Sequence, residues 1–539
     1  MEIKRQLTEV IAALIFISML VIIMVNYYPP IRDNLPYAEY LDYGGEVKQD
    51  RYAHYDYEGL LQEVQALNMP DTVPNGSSRS IVVLNYHGTI ANSSQVDQYS
   101  ITIENFKDHM FALKKSGYNT ITINELNMFL RGEKDLPEKS FMITFDDGIK
   151  DSYYNTDPIL KALNYTGVMF VITGPSLEKK SSYYLNKEEL QEMLDSGRWE
   201  LQSHSYKGHG RLKIDNEGKI GPFYSNKLWL VNESRLETDD EYKKRVTYDL
   251  ALSKQQLEKT FNNSVIGFAL PFGDFGQRES NYYGADQILI DITKEFYNLV
   301  FYQFKPAKNK DFRANYNTEK KDFYLVMRLS ADAITSSDEL ISQIEAAQAL
   351  PLPYLEKFDN EDRWINLWGD TQSDTNNIKL SNERGTSGAM TYLDGSYVWT
   401  DYNYSLSVID TTAQQMFLLG RFQDSENYVA CKFEPHAVSV VNVRDKQKEE
   451  TNKVILRGQP IEIRGANLSI SISKDNVGCY FNGQKMLDTK VIHIPNYGGV
   501  GIRFENPAFV PGSNVTSSLT VKNVKILPEN VNSYEWRIK

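Results

Sequence analysis

At 539 residues the chain is too long for one hydrophobic core, so a multidomain protein of two or three folded units is expected. A formal charge of −13 with no basic cluster argues against a nucleic-acid partner and disfavours a strongly anionic substrate, while tolerating a neutral or cationic polymer. With only Cys431 and Cys479 the chain is neither a disulfide scaffold nor a cysteine-ligated zinc protein; the two either pair across neighbouring strands or stay as buried thiols.

Val10 to Val25 is apolar apart from Ser18, and Asn26-Tyr27-Tyr28 extends the run into an aromatic belt. About 19 residues result, against the ~20 that span a hydrocarbon core. Lys4 and Arg5 precede it, which predicts a cytoplasmic amino terminus and everything after it outside. No small-x-small pattern precedes Tyr27, so residues 1–28 read as an uncleaved single-pass transmembrane anchor rather than a removed leader. Residues 29–79 read as an extracytoplasmic stalk, with Pro29-Pro30, many Tyr and Asp, and one amphipathic stretch from Tyr57 to Leu67.

Over residues 80–350 strand and helix signals alternate. Strands are predicted at 81–86, 118–122, 140–145, 167–172, 199–203, 265–270, 298–302 and 323–329. Thr102 caps a helix with Phe106, Met110 and Leu113 on one face; Asn186 with Glu189, and Ser336 with Glu339, have capping-box spacing. Tyr242, Val246, Leu250 and Leu257 stripe another helix. Roughly eight strand-plus-helix units imply a (β/α) barrel, incomplete or distorted, with its chemistry at the carboxyl ends of the strands. Residues 351–362 read as a linker. Residues 363–530 turn to strands: Leu468, Ile470 and Ile472 alternate with serines, and Asn482-Gly483 marks a hairpin, so a C-terminal antiparallel β-sandwich is expected.

Three segments stand at predicted strand ends. Phe141-Met-Ile-Thr-Phe-Asp146-Asp147-Gly148 delivers two adjacent carboxylates to a glycine turn, an arrangement that a nearby cation would make affordable. Ser203-His204-Ser205-Tyr206-Lys207-Gly208-His209 carries two histidines whose separation is about 140° off one helical face, so they converge only from a strand end and its loop, with Gly208 allowing the reversal. A carboxylate with two imidazoles leaves coordination positions open, as in a hydrolytic zinc site. The third segment is Phe268-Ala-Leu-Pro271-Phe272-Gly273.

In that order the three motifs resemble the polysaccharide deacetylases, the family-4 carbohydrate esterases with the NodB-homology domain, over roughly residues 80–345. The resemblance implies Asp146 as general base, Asp147, His204 and His209 as metal ligands, and Phe272 as donor of a backbone N–H to the oxyanion, with Pro271 and Tyr86 at the substrate. It implies Zn2+, or another divalent ion such as Co2+, Mn2+ or Ni2+. Two family features are missing: an arginine two residues before the motif proline, where Ala269 stands, and a late barrel histidine, since only His436 and His493 follow His209. These losses and the histidine spacing look more like the exopolysaccharide deacetylases of poly-N-acetylglucosamine polymers. Val82-Val-Leu-Asn-Tyr86-His87 resembles their Tyr-His segment, which makes His87 a candidate acid. The implied partners are an N-acetylated polysaccharide, the membrane, and polymer synthesis or export machinery. A peptidoglycan deacetylase, or a non-catalytic glycan-binding protein with a degenerate barrel, are the alternatives. The sandwich looks like the concanavalin or laminin-G group, in which Trp364, Trp368, Trp399 and Tyr402 could stack on sugars. The long Arg211–Asp240 segment either lines the substrate groove or is a structural flap.

Overall fold

The computed structural model describes residues 56–67, 77–91, 99–178, 181–304, 312–316, 323–358, 363–383, 386–445, 447–456, 460–507 and 516–529. Two units divide at Ala347 and Gln348. The expected anchor at 1–28 and most of the expected stalk lie outside the described residues. Among those described, no helix is long and apolar enough to cross a membrane.

In the first unit the apolar runs become seven parallel strands: β1 (Ser80–Tyr86), β2 (Ser140–Phe145), β3 (Gly167–Val171), β4 (Trp199–Ser203), β5 (Gly267–Ala269), β6 (Leu299–Phe304) and β7 (Tyr324–Ser330). Their order is β1-β7-β6-β5-β4-β3-β2, and β2 returns to β1, Val82–Tyr86 against Phe141–Phe145, closing the barrel. The eighth strand expected at 118–122 is not a stave. Only Asn119–Thr120 pairs, sharing one edge of β2 with β3, because a polar two-residue piece with Asn119 exposed has too little apolar surface to take a place in the ring.

Every residue of β1 and β2 is buried, as expected of strands covered on both faces. Alternation sorts their side chains. Ile81, Val83, Met142, Phe170, Ala269, Leu299, Phe301 and Val326 fill the lumen, while Val82, Leu84, Tyr86, Phe141, Ile143 and Phe145 pack outward under the helices. Position parity therefore decides which residues reach the barrel mouth.

The foreseen helices are present. In α2 (Ile103–Lys115) the Thr102 side chain accepts from the Asn105 N–H, with Phe106, Met110 and Leu113 buried. α3 (Lys187–Asp195) has the Asn186–Glu189 capping box, α4 (Asp239–Phe261) buries Tyr242, Val246, Leu250 and Leu257, and α5 (Ser337–Ala347) closes the unit. α1 (Tyr57–Gln65), inside the expected stalk, lies against the barrel instead: Leu60 is buried in the same core and Glu63 pairs with Lys107 at 2.9 Å.

In the second unit the described residues form an eight-stranded and a seven-stranded antiparallel sheet. Leu468, Ile470 and Ile472 point into the core between them. Tyr354–Leu355, within the expected linker, hydrogen-bonds to the edge at Lys525 and Ile526. Three of the four aromatic residues proposed for sugar stacking are core instead: Trp364, Trp399 and Tyr402 are buried, and only Trp368 is partly exposed. Cys431 and Cys479 are joined, tying a strand of one sheet to a strand of the other with Cα atoms 5.7 Å apart. Replacing both by alanine is expected to lower the stability of this unit by about 2–4 kcal/mol, read as an earlier denaturant midpoint for its unfolding. An unchanged midpoint would mean the bridge adds nothing to the packing between the sheets.

Candidate active site

The carboxyl ends of six barrel strands contribute to one site. Met142, Thr144 and Asp146 share the lumen parity of β2, so Asp146 points inward and is fully buried. Asp147 then adopts φ 72°, a left-handed turn that aims the second carboxylate at the loops instead. His204 leaves β4 on the lumen side, and Ser205 at φ 102° reverses the chain. Gly208 serves a different purpose from the expected reversal: a Cβ there would meet Phe223 at 2.8 Å and Tyr224 at 2.9 Å. The loop is fixed from beneath by Asp249 of α4, buried, whose carboxylate accepts the backbone N–H of Tyr206 (2.9 Å) and Lys207 (3.0 Å) and the Tyr224 hydroxyl.

The result brings Asp147, His204 and His209 together, their ligand atoms within 4.8 Å of one another. Asp147 Oδ1 is 3.3 Å from His204 Nε2 and 3.2 Å from His209 Nε2. His204 Nδ1 donates to the Ala269 carbonyl at 2.7 Å, which leaves Nε2 as a lone pair facing the carboxylate. Both Asp147 Oδ1 and His204 Nε2 are buried without a hydrogen-bond partner. Orphaned acceptors converging on one point are what a divalent cation would satisfy, and the set fits one. Protonation agrees. Burial pushes the His209 imidazole down to about 4, keeping it neutral.

Asp146 has other partners. Arg328 of β7, fully buried, grips it bidentately, Nη1 to Oδ1 at 2.6 Å and Nη2 to Oδ2 at 2.7 Å, and Gln303 of β6 donates at 3.2 Å. Burial works to raise the Asp146 carboxyl; Arg328 overcomes it and holds the group at about 2. The arginine missing at Ala269 is thus supplied in space from another strand. Ala269 and Arg328 share the lumen side with Phe170 and Phe301, and the guanidinium lies over those two rings at 5.3 and 5.9 Å.

His87 follows β1 on the same parity, its Nε2 3.7 Å from Asp146 Oδ2 and 3.1 Å from Gln303 Nε2. Its Nδ1 donates to Asp332, in the turn after β7, at 2.7 Å, and its backbone N–H donates to the same carboxylate at 3.1 Å. Burial would lower the imidazole, but the Asp332 hydrogen bond and charge raise it to about 9; burial likewise raises the Asp332 carboxyl, so the pair holds its proton at neutral pH. Tyr86 is the correction here. Its parity sends it outward, where it packs on Phe106 and Phe145 and bonds His109 at 3.1 Å, fully buried and away from any substrate. Pro271 is buried, and Phe272 at φ 61° lays its ring 4.8 Å from that of His209. Trp199 is core, against Phe145 and Tyr153.

Residues 133–286 match the family described as "Polysaccharide deacetylase". The chain carries a polysaccharide deacetylase domain. Among curated relatives, the poly-β-1,6-N-acetyl-D-glucosamine N-deacetylase of Escherichia coli (strain K12) is 25% identical over 205 residues, covering 36% of this chain and 30% of its own length. The protein of the same name from Staphylococcus aureus (strain MRSA252) is 26% identical over 208 residues, covering 36% of this chain and 65% of the relative. The chain thus spans about a third and about two thirds of these relatives. A solved de-N-acetylase from Aggregatibacter actinomycetemcomitans is similar at 22% identity and a TM-score of 0.41, covering 49% of this chain and 99% of that one.

The Asp146–Arg328 pair of the deacetylase domain makes a stability prediction. Arg328→Met leaves a buried carboxylate uncompensated and is expected to cost about 3–5 kcal/mol. Arg328→Met with Asp146→Leu should recover most of that loss, measured by denaturant unfolding. Additive losses in the double variant would mean the two side chains do not act as a pair.

Proposed function

We propose that this protein is a metal-dependent polysaccharide N-deacetylase acting outside the cytoplasmic membrane, held there by its amino-terminal apolar segment, and removing acetyl groups from N-acetylhexosamine units of an exopolysaccharide. The observation that carries this reading is the convergence of Asp147, His204 and His209 beside an ionised Asp146. Two imidazoles and one carboxylate suit Zn2+, with Co2+, Mn2+ and Ni2+ accepting the same donors. Such a cation would polarise an amide carbonyl and make water a stronger acid at neutral pH. The chain's own groups supply the proton transfers. Asp146, kept ionised and oriented by Arg328, accepts a proton from the attacking water; His87, kept protonated by Asp332, donates one to the nitrogen as the carbon–nitrogen bond breaks, giving acetate and a free amine.

Both features whose absence from the sequence favoured a non-catalytic glycan-binding barrel have spatial stand-ins, Arg328 for the arginine and the His87–Asp332 pair for the late histidine, so the catalytic reading is preferred. The names of the curated relatives support a poly-N-acetylglucosamine-type polymer as substrate. An extracytoplasmic site is supported by the Cys431–Cys479 bridge, which persists in oxidising compartments, and by Lys4 and Arg5 ahead of the apolar run. The polymer's synthesis or export machinery is the natural neighbour of an anchored enzyme of this kind.

Acetate released from N-acetylglucosamine oligomers is the direct test. Chelation is expected to abolish it and added Zn2+ to restore it, while Asp146→Asn lowers kcat by about 10²- to 10⁴-fold. Acetate release that survives both treatments would sink the assignment. The acid has its own signature. His87 is competent below its pKa and loses its proton as pH rises through it, so activity falls on the alkaline side. Asp332→Asn removes what raises that pKa and should move the alkaline limb to lower pH, whereas an unmoved limb would remove His87 from this role.

A further inference from the structure

Beside the metal triad lies a cavity of about 640 Å³. One wall is the hairpin that pairs Arg211–Lys213 with Ile220–Pro222, and the other runs from Phe272 to Asn281. Phe272 is common to both places: its ring meets His209, and the Arg211 guanidinium lies 5.0 Å from its centroid. The long segment after His209 therefore lines a space that opens next to the reacting centre.

The charges around this cavity are not equally engaged. Asp215 accepts the backbone N–H groups of Glu217, Gly218 and Lys219 at 2.8–2.9 Å. Asp274, buried, accepts the Ser225 hydroxyl and the Gly276 N–H, both at 2.9 Å. Glu279 stands 3.5 Å from Lys219. The Arg211 and Arg278 side chains, by contrast, have no carboxylate and no hydrogen bond among the described residues, Arg211 resting only on the Phe272 ring. Each of these carboxylates has a partner while two guanidinium groups remain open. A guanidinium offers a planar fork of donors that fits an oxyanion bidentately. Three cations and three anions line the space, and with an overall charge of −13 the two unpartnered guanidinium groups suit a sparse anionic group rather than a dense polyanion.

We propose that the cavity is a subsite for a carboxylate or phosphate group on the sugar adjoining the N-acetylhexosamine at the triad. The proposal rests on the deacetylase reading above and narrows its substrate to polymers in which acetamido sugars neighbour acidic ones.

The test compares acetate release by the full chain from oligosaccharides of equal length: neutral N-acetylglucosamine, N-acetylhexosamine alternating with hexuronate, and N-acetylglucosamine bearing 6-phosphate. At low salt one acidic oligomer is expected to exceed the neutral one in kcat/KM by about 10-fold, and which one does so names the source of the anion. In Arg211→Gln/Arg278→Gln that ratio should fall to about one, and Arg278→Glu should shift preference toward partly deacetylated, amine-bearing oligomers. A wild-type ratio near one, or a ratio that the double substitution leaves in place, overturns the subsite. If no oligomer yields acetate, the deacetylase reading fails instead. Calorimetric binding of the same oligomers then decides the subsite, which stands if tighter binding of an acidic oligomer disappears in the double variant and falls if the affinities are equal.

Discussion

Two adjacent carboxylates at the end of a buried strand set the terms for everything around them. Taking an ionised carboxylate out of water costs several kcal/mol even after the surroundings relax, and two side by side also repel. The barrel meets this by separating them. Asp146 continues the lumen register and is neutralised by a guanidinium that is itself fully buried. Asp147 breaks into a left-handed turn and faces two imidazoles. One carboxylate is then matched by a guanidinium, the other set against two imidazoles. Adjacent residues acquire different chemistry because the backbone between them changes hand.

The same device recurs at the other two motif turns. Ser205 and Phe272 are both non-glycine residues at positive φ, a conformation that costs on the order of 1–3 kcal/mol each unless the surroundings enforce it. Here they do: Asp249 clamps the backbone just after Ser205, and Phe272 is held between His209 and Arg211. Strain concentrated at three loop turns, each enforced by its surroundings, fixes the Asp147, His204 and His209 side chains relative to one another.

Much of this was legible in the primary structure. The meeting of Asp147, His204 and His209 beside Asp146, and the strand ends that carry them, were readable because motif residues sit at fixed offsets from apolar runs. Tyr86 was misread because adjacency to His87 suggested a shared role, whereas alternation along a strand puts neighbours on opposite faces. Arg328 escaped notice because the arginine was sought two residues before Pro271, at Ala269, and not across the barrel. A signal was present, since a single charged residue in the strand Tyr324-Leu-Val-Met-Arg328-Leu-Ser must find a buried counter-charge. Asp332 reads as an ordinary turn residue, and only the ring closure of β1 and β7 brings it to His87. The missing eighth stave was a matter of surface: Asn119–Thr120 is too short and polar to hold a place in a barrel.

The buried network also bears on what kind of protein this is. Replacing a buried ion pair by apolar residues of similar volume is often neutral or stabilising, so folding alone does not call for one. A barrel that merely retained a glycan could fill the lumen beneath its mouth with more of the leucine, valine and phenylalanine already there. This lumen instead keeps Asp146, Arg328, Gln303, His87 and Asp332 in one bonded set, each at least nine-tenths buried, with an ionised carboxylate and a protonated imidazole 3.7 Å apart. Several ionised groups buried together are costly to assemble. They are useful chiefly where a proton must be taken at one point and returned at another, as amide hydrolysis requires.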